Sequence, residues 1–212
     1  MEQSRSINII NSSFLVGMPL LALISVIFYS LEYGISWVEP VIFVAFYLAC
    51  GLSITAGYHR LFSHRTHKAA WPMRLFYALF GAAAFQNSAT KWCSDHRRHH
   101  LKTDQEEDPY TVKNGFMWAH MGWVMVDQGE EIVEHVDDLQ EDKILAWQDR
   151  NIFLIGFLVG IVMPGIVGLL AIGGIHGFLG GLIYGGFLRV VIVHHATFLI
   201  NSAAHTLSLI HI

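Results

Sequence analysis

The sequence Asp95-His96-Arg97-Arg98-His99-His100 sets three imidazoles and two guanidiniums beside one carboxylate. On a helix, His96, His99 and His100 fall at positions i, i+3 and i+4 and project from one face. A solvated basic face would account for the arginines and for one histidine. Three imidazoles on one face favour a metal site, and we interpret this stretch as the centre around which the chain is organised.

Two further histidine groups lie far from this stretch in the sequence. His59 and His64 precede it, and Asn201 and His205 follow it near the end of the chain. Asn201 and His205 are four residues apart and share a helix face. His59 and His64 are five residues apart, which is about 140° around an α-helix, so we expect a helix to end between them.

The composition is typical of a membrane protein. Of the 212 residues, 53% are hydrophobic and only 14% are charged, whereas a soluble domain carries about 25% charged residues. The net charge of −4 is small, and we expect no nucleic-acid partner. The two cysteines, Cys50 and Cys93, indicate neither a disulfide framework nor a thiolate metal site.

Four apolar runs are long enough to cross a bilayer, which requires about 20 residues. They are residues 9–29, 41–57, 152–172 and 178–200. Residues 58–150, between the second and third runs, hold 11 of the 13 lysines and arginines and 14 of the 17 acids. The positive-inside rule therefore places this segment and both termini in the cytoplasm. We predict an all-α, multi-pass integral membrane protein with four transmembrane helices and a cytoplasmic helical cap that carries a histidine-rich di-metal site.

Three features of these segments carry narrower expectations. The apolar run 71–85 is too short to cross the bilayer and predicts an interfacial segment. Residues 129–150 are rich in acids and predict a solvated helix. Arg189 falls within the fourth span, where a charge is costly, and the sequence names no partner for it.

The number of histidines argues for two metal ions. A catalytic zinc site takes three protein ligands, whereas the three groups offer six imidazoles, with Asn201 as an amide oxygen. Imidazole binds zinc, copper, iron and nickel, so the ligand type alone does not name the metal. The Glu-x-x-His pairs of soluble di-iron bundles are absent from the sequence. A di-iron site at a membrane surface, with oxygen activation as its chemistry, is the economical interpretation.

Several separated motifs occur in a fixed order. They are Thr55-Ala-Gly-Tyr-His-Arg-Leu-Phe-Ser-His-Arg-Thr-His67, Ala84-Phe-Gln-Asn87, Lys91-Trp-Cys-Ser-Asp-His-Arg-Arg-His-His100, Asp108-Pro109, Gly115-Phe-Met-Trp-Ala-His-Met-Gly-Trp123 and Ala196-Thr-Phe-Leu-Ile-Asn-Ser-Ala-Ala-His205. In order and spacing, this set resembles the membrane fatty acyl-CoA delta-9 desaturases of the stearoyl-CoA type. The likeness extends over residues 40–207.

The resemblance implies an activity and its cofactors. Residues 1–212 would form a single desaturase domain that converts a saturated fatty acyl chain, carried as acyl-CoA or a similar thioester, to a cis-monounsaturated product in unsaturated fatty acid biosynthesis. It implies two iron ions, molecular oxygen as co-substrate, membrane lipid as surroundings, and a separate electron donor of the cytochrome b5, ferredoxin or rubredoxin type. The implied iron ligands are His59, His64, His96, His99, His100 and His205, with Asn201 binding through water.

The resemblance also implies residues that contact the substrate. Gln86, Trp92 and Thr197 match positions that shape the bend of the acyl tunnel, and Tyr47 matches a bulky residue that closes its end. Trp92 and Tyr47 would be equally ordinary as core or interfacial aromatics. His67, His120, His135 and His176 match no ligand position, and we expect surface or hydrogen-bonded roles for them. His194 and His195 lie in the fourth span, where buried polar groups are often functional, but their distance of about three turns from His205 argues against ligation.

The sequence departs from the family pattern in two places. The family carries a further box of the form His-Asn-x-His-His after its Asn-x-x-x-His motif, and this chain stops before it. We therefore expect a C-terminally incomplete domain that lacks three ligands and is inactive alone. Ser94, Asp127 and Gln128 stand where animal members carry basic residues for coenzyme A, which leaves coenzyme A, acyl carrier protein and lipid open as the acyl carrier.

Two other functions remain open from the sequence. A hydroxylase or other oxygenase of the same histidine-box superfamily would carry the same ligands but yield an alcohol. A metal transporter would require ionisable residues through the middle of the membrane, whereas the matched histidines cluster at one surface.

Overall fold

The described part of the chain is helical, without a strand. The structure is a computed structural model that describes residues 6–103, 105, 108–127 and 133–210, the side chains of 208–210 excepted. We number its helices α1 (Ile9–Tyr33), α2 (Val38–Ser63), α3 (Trp71–Ala83), α4 (Ala89–Leu101), α5 (116–125), α6 (Asp137–Gln140), α7 (Lys143–Arg150), α8 (Ile152–Ile172) and α9 (Gly174–Leu207).

The four predicted spans are confirmed as α1, α2, α8 and α9, all long and apolar enough to cross a membrane. The α8 boundaries match the prediction, whereas the other three helices are longer than predicted. At 1.5 Å per residue, the 34 residues of α9 extend about 51 Å, well beyond a hydrocarbon core of about 30 Å. The 26 residues of α2 extend about 39 Å, so both helices are longer than the apolar layer is thick, and His59 and His205 lie near one end of each.

The first residues of the described chain pack on the same side as the cap. The backbone N–H of Asn8 donates to the carbonyl of Met125 at 2.9 Å, and the side-chain amide of Asn11 donates to the carbonyl of Val124 at 3.1 Å. The end of α9 also lies on this side, because His205 contacts His99 of α4. Gly34 and Gly173, with φ of 73° and 87°, end α1 and α8 at the opposite side.

The predicted interfacial segment forms α3, and its C-terminal tip is buried among the spans. Ala82, Ala83 and Ala84 are at most 1% exposed. The end of a helix leaves carbonyls without intrahelical partners, which is costly where water is excluded. The guanidinium of Arg189 donates to the carbonyls of Ala83, Gly160 and Gly185. Arg189 thus has the partner that the sequence did not name, at the negative end of the α3 dipole.

The prediction of one solvated helix over residues 129–150 is wrong. Residues 129–132 lie outside the described part, and the remainder forms the short helices α6 and α7. Asp142 caps α7 and interrupts the helix, because its carboxylate accepts from the N–H groups of Ile144 and Leu145. Leu145 and Gln148 are fully buried. Asp137, Glu141 and Asp149 are exposed, whereas the side chain of Gln148 accepts from the N–H of Ala89 on α4 and donates to the carbonyl of Ala78 on α3.

Candidate metal centre

Four imidazoles from two helices meet beside the membrane. His59 and His64 come from the end of α2, and His96 and His100 come from one face of α4. Nε2 of His64 lies 3.1 Å from Nε2 of His59 and 3.0 Å from Nε2 of His96. Nε2 of His100 lies 3.1 Å from that of His96, and one nitrogen from each of the four falls within 4.8 Å of the others. We call these residues the four-histidine cluster.

The end of α2 is wound so that His59 and His64 share a face. Residues Ser53–Ser63 form a π-helix, and the N–H of His64 donates to the carbonyl of His59 at 3.0 Å. Residues five apart lie one above the other in this winding. The predicted helix end is confirmed at Ser63. The shared face, which an α-helix would not give, results from the wider winding.

The nitrogen spacing fits one metal ion. Two nitrogens that are each about 2.1 Å from an ion lie about 3 Å apart when they subtend a right angle. Metal binding also requires neutral imidazoles. Burial, reinforced by His59, His100 and His64, lowers the pKa of His96 to about 2, and burial beside His64 lowers the pKa of His100. Both rings are therefore neutral at ordinary pH and have lone pairs free for an ion.

His99 and His205 form a separate pair beside the four-histidine cluster. Their ring centroids are 4.9 Å apart, and the centroid of His99 is 5.4 Å from that of His100. His205 follows Asn201 by four residues near the end of α9. The structure thus divides the six predicted histidines into four and two, and Asn201 lies on α9 with His205, one member of the smaller group.

A short loop after α4 contacts His99 of the His99–His205 pair and His96 of the four-histidine cluster. Oδ1 of Asp108 accepts from Nδ1 of His99 at 2.8 Å and from the N–H of Tyr110 at 3.2 Å. Since a carboxylate accepts here, Nδ1 of His99 carries the proton and Nε2 keeps its lone pair. The Tyr110 hydroxyl lies 3.3 Å from Nδ1 of His96, and its ring stacks on His99 at 4.3 Å. Asp108 was predicted only as part of a motif, and Tyr110 was missed.

Arg97 of α4 connects the two helices that supply the four-histidine cluster, α2 and α4, through hydrogen bonds. Its guanidinium donates to the carbonyls of Phe62 and Ser63 at 2.6 and 3.2 Å, at the end of α2. It also donates to both carboxylate oxygens of Asp138, at 2.7 and 3.0 Å, which Arg65 contacts at 2.8 Å. Partial burial raises the pKa of Asp138, but these hydrogen bonds outweigh it and hold that pKa below its usual value.

The sequence matches the fatty acid desaturase family over residues 14–208. The chain belongs to this family. The chain is 42% identical over 165 residues to acyl-CoA desaturase 1 of Saccharomyces cerevisiae and 39% identical over 204 residues to a probable acyl-CoA desaturase of Schizosaccharomyces pombe. It is 37% identical over 166 residues to the stearoyl-CoA desaturase of Sus scrofa.

These alignments cover most of this desaturase-family chain but less than half of each relative. They include 76%, 95% and 76% of this chain and 32%, 41% and 46% of the three relatives, in the same order. The chain therefore spans less than half the length of each. The predicted resemblance to membrane desaturases is confirmed.

In this member of the desaturase family, the predicted substrate residues fall into three places. Nε2 of Gln86 donates to Oγ1 of Thr197 at 3.0 Å, so these two residues are brought together from distant parts of the chain. Phe85 and Asn87, on either side of Gln86, have positive φ, a strained conformation for such residues. Trp92 stacks on His96 with a centroid distance of 4.9 Å. Tyr47 is half-buried on α2 and stacks on Phe43.

The histidines that were not expected to be ligands have other partners. Nε2 of His194 lies 2.8 Å from the carbonyl of Ala84. Nε2 of His120 lies 3.0 Å from Nδ1 of His195, and Nδ1 of His120 lies 3.0 Å from the hydroxyl of Ser202. His120 therefore lies in a hydrogen-bonded position.

Ser94, Asp127 and Gln128, which stand where animal members of the family carry basic residues for coenzyme A, differ in their surroundings. Ser94 is 1% exposed, and its hydroxyl accepts from the N–H of Glu134 at 2.9 Å. Ser94 therefore packs under the 133–136 segment. Asp127 is exposed, and Gln128 lies outside the described residues.

Proposed function

We propose that this chain carries the metal-binding part of an oxygen-dependent acyl desaturase. The reaction removes two hydrogens from a saturated fatty acyl thioester and leaves a cis double bond, as a step of unsaturated fatty acid biosynthesis. The observation that carries the proposal is the four-histidine cluster, in which one ring nitrogen from each of four imidazoles lies within 4.8 Å of the others. The names of the relatives, acyl-CoA and stearoyl-CoA desaturases, support an acyl thioester as substrate.

We assign the histidines to two iron ions. His59, His64, His96 and His100 would hold one ion, and His99, His205 and Asn201, the last through water, would hold the other. Iron bound at these positions would supply the oxidation of a C–H bond by molecular oxygen. Asp108 keeps the proton on Nδ1 of His99, and Tyr110 faces Nδ1 of His96, so that Nε2 of each ring stays available.

The acyl chain would pass beneath Trp92, bend beside the Gln86–Thr197 contact and end near Tyr47. Trp92 stacks on a proposed ligand, which puts its ring between the cluster and the apolar helices. Tyr47 precedes His59 by 12 residues, or about 18 Å along a helix. The strained backbone on both sides of Gln86 fixes the position of the bend.

We also propose that the cap and both termini face the cytoplasm and that electrons come from a separate donor of the cytochrome b5, ferredoxin or rubredoxin type. The concentration of lysine and arginine in residues 58–150 supports this orientation. The contacts of Asn8 and Asn11 with α5 support a common side for the N-terminus and the cap.

Product analysis and metal content test the proposal together. The chain, and a version extended by a family-type segment with the further histidine box, would be expressed in cells that lack their own desaturase. We expect iron in both proteins and a cis-monounsaturated product from the extended one. His96→Ala and His100→Ala should lose iron and product, whereas His67→Ala, at an exposed histidine, should lose neither. Full activity in both cluster variants would overturn the assignment, and an alcohol product would indicate a hydroxylase.

A further inference from the structure

A groove opens between α1 and α9 at the end of the molecule opposite the cap. Its volume is about 420 Å³. Its lining includes the apolar side chains of Phe28, Leu179 and Ile183 and the side chains of Tyr29, Glu32 and Tyr33. The groove begins where α1 ends, about 37 Å along that helix from the cap. It is therefore remote from the four-histidine cluster.

Two neighbouring tyrosines of α1, one buried and one half-exposed, belong to the lining of the groove. The centroids of Tyr29 and Tyr33 are 5.4 Å apart. The Tyr29 hydroxyl donates to Oε1 of Glu39 at 2.7 Å, and Oε2 of Glu39 accepts from the N–H and hydroxyl of Ser36. Tyr33 stacks on His176 at 5.9 Å. Since Glu39 is buried and both of its oxygens are bonded, it holds the Tyr29 ring in place and offers no charge to a ligand.

Charge at this end of the molecule is negative. Neither residues 6–59 nor residues 151–188 contain a lysine or an arginine. Glu32 is exposed and lines the groove, within one helical turn of both tyrosines. An anionic headgroup would meet a carboxylate here and no cationic side chain. An ammonium group would meet the Glu32 carboxylate and the ring of Tyr33, which is 49% exposed, whereas the Tyr29 ring is 4% exposed and packs against Tyr33. An aromatic ring attracts quaternary ammonium ligands through the cation–π interaction.

The depth of the groove suits an acyl chain. Ile183 is nine residues beyond the start of α9 at Gly174, or about 14 Å into the apolar layer. Phe28 and Leu31 are 70% and 80% exposed and face the space that lipid occupies around a membrane helix. A ligand with an ammonium head and an apolar tail would match both parts of the groove.

We propose that this groove binds a membrane lipid with an amine-bearing headgroup, choline or ethanolamine. The ammonium lies against Glu32 and the ring of Tyr33, which Tyr29 supports, and one acyl chain lies along Phe28, Leu179 and Ile183. This site is independent of the proposed desaturase activity.

The test measures lipid binding to the purified full chain in detergent by native mass spectrometry and by thermal shift. The probes are phosphatidylcholine, phosphatidylethanolamine and phosphatidylglycerol with identical acyl chains, together with free choline. We expect the two amine lipids to bind at least about tenfold more tightly than phosphatidylglycerol. Equal binding of phosphatidylglycerol would overturn the proposal. Free choline that binds as tightly as phosphatidylcholine would overturn the role of the acyl chain.

Two pairs of variants separate the headgroup contacts from general effects. Glu32→Gln should weaken phosphatidylcholine about tenfold, whereas Glu141→Gln, at an exposed acid on the cap, should not. Tyr33→Leu should weaken binding, and Tyr33→Phe, which keeps the ring, should retain it. Unchanged affinity in both Glu32→Gln and Tyr33→Leu would show that the groove does not recognise the amine.

Discussion

Nδ1 of His99 lies 2.8 Å from Oδ1 of Asp108, a carboxylate with no exposed side-chain surface. This contact fixes the proton on Nδ1 and directs the other nitrogen away from the loop. Asp108→Asn replaces the acceptor with an amide that can donate, which favours the wrong tautomer. We expect the affinity of the His99–His205 pair for metal to fall about 10- to 100-fold. A chelator-competition titration would measure this loss.

The four-histidine cluster provides an internal reference for that experiment, because the imidazole that Asp108 accepts from, His99, lies in the other group. Its affinity should be unchanged in Asp108→Asn. Asp149→Asn, at an exposed acid on α7, serves as the control for loss of a carboxylate. If both metal equivalents bind to Asp108→Asn as they do to the parent, the carboxylate does not position His99.

Arg97 and Asp138 should behave as a coupled pair. Arg97→Lys removes the bidentate contact and two of the donors that reach the end of α2. Asp138→Asn weakens the same contact from the other side. A double-mutant cycle on the free energy of unfolding should give a coupling of about 0.5–3 kcal/mol, and metal binding by the cluster should weaken in both variants. Additive effects, or equal losses in Arg150→Lys on the exposed end of α7, would contradict this role.

The spans and the histidine groups were predictable because each depends on local composition or spacing. Hydropathy over about 20 residues identifies a span, and i, i+3, i+4 spacing places three imidazoles of α4 on one side. The division into four and two was not predictable. It depends on the π-helical end of α2, which brings His64 over His59, and on the Asp108 loop, which turns His99 toward His205. Both arise from tertiary contacts that leave no periodic signal.

Arg189 is a second residue whose tertiary partners the sequence does not reveal. Its cost in a span is evident from the sequence, but its partners are carbonyls of two other helices and of its own. Arg189→Met would leave the carbonyls of Ala83 and Gly160 unsatisfied, at about 1–3 kcal/mol each. We expect a destabilisation of about 3 kcal/mol or more in detergent unfolding, against less than about 1.5 kcal/mol for the neighbouring Leu188→Met. Similar stability of the two variants would contradict the assignment.

His120 should make stability depend on pH. Burial, and then the neighbouring His195, lowers the pKa of His120 below its ordinary value of 6.5. The unfolded chain therefore takes up a proton at higher pH than the folded one, so this contribution is full above about pH 6.5 and is lost as pH falls below it. The loss is at most about 1.4 kcal/mol per pH unit.

Asparagine at position 120 removes this titration. The difference in free energy of unfolding between the parent and His120→Asn should shrink from about pH 7.5 to about pH 5.5. His67→Asn, at an exposed imidazole, controls for the loss of one histidine. A difference between the parent and His120→Asn that stays constant over this range would show that His120 does not titrate against folding.

Tyr47 should set the length of the acyl chain. It is half-buried on α2, one turn from Phe43, on which it stacks at 5.9 Å, and it packs against the core around Cys50 and Tyr58. Tyr47 lies about 18 Å along the helix from His59. If the reacting carbons of the acyl chain lie near the four-histidine cluster, removal of the Tyr47 ring opens space at the far end of that acyl chain. In the active, extended protein, Tyr47→Ala should shift products toward longer chains.

The measurement is the chain-length distribution of monounsaturated products in cells without another desaturase. Tyr47→Phe keeps the ring and should retain the parent distribution. Val44→Ala, on the exposed face of the same helix, controls for a loss of side-chain volume that does not border the core. An active Tyr47→Ala protein with an unchanged distribution would show that Tyr47 packs α2 without limiting the substrate.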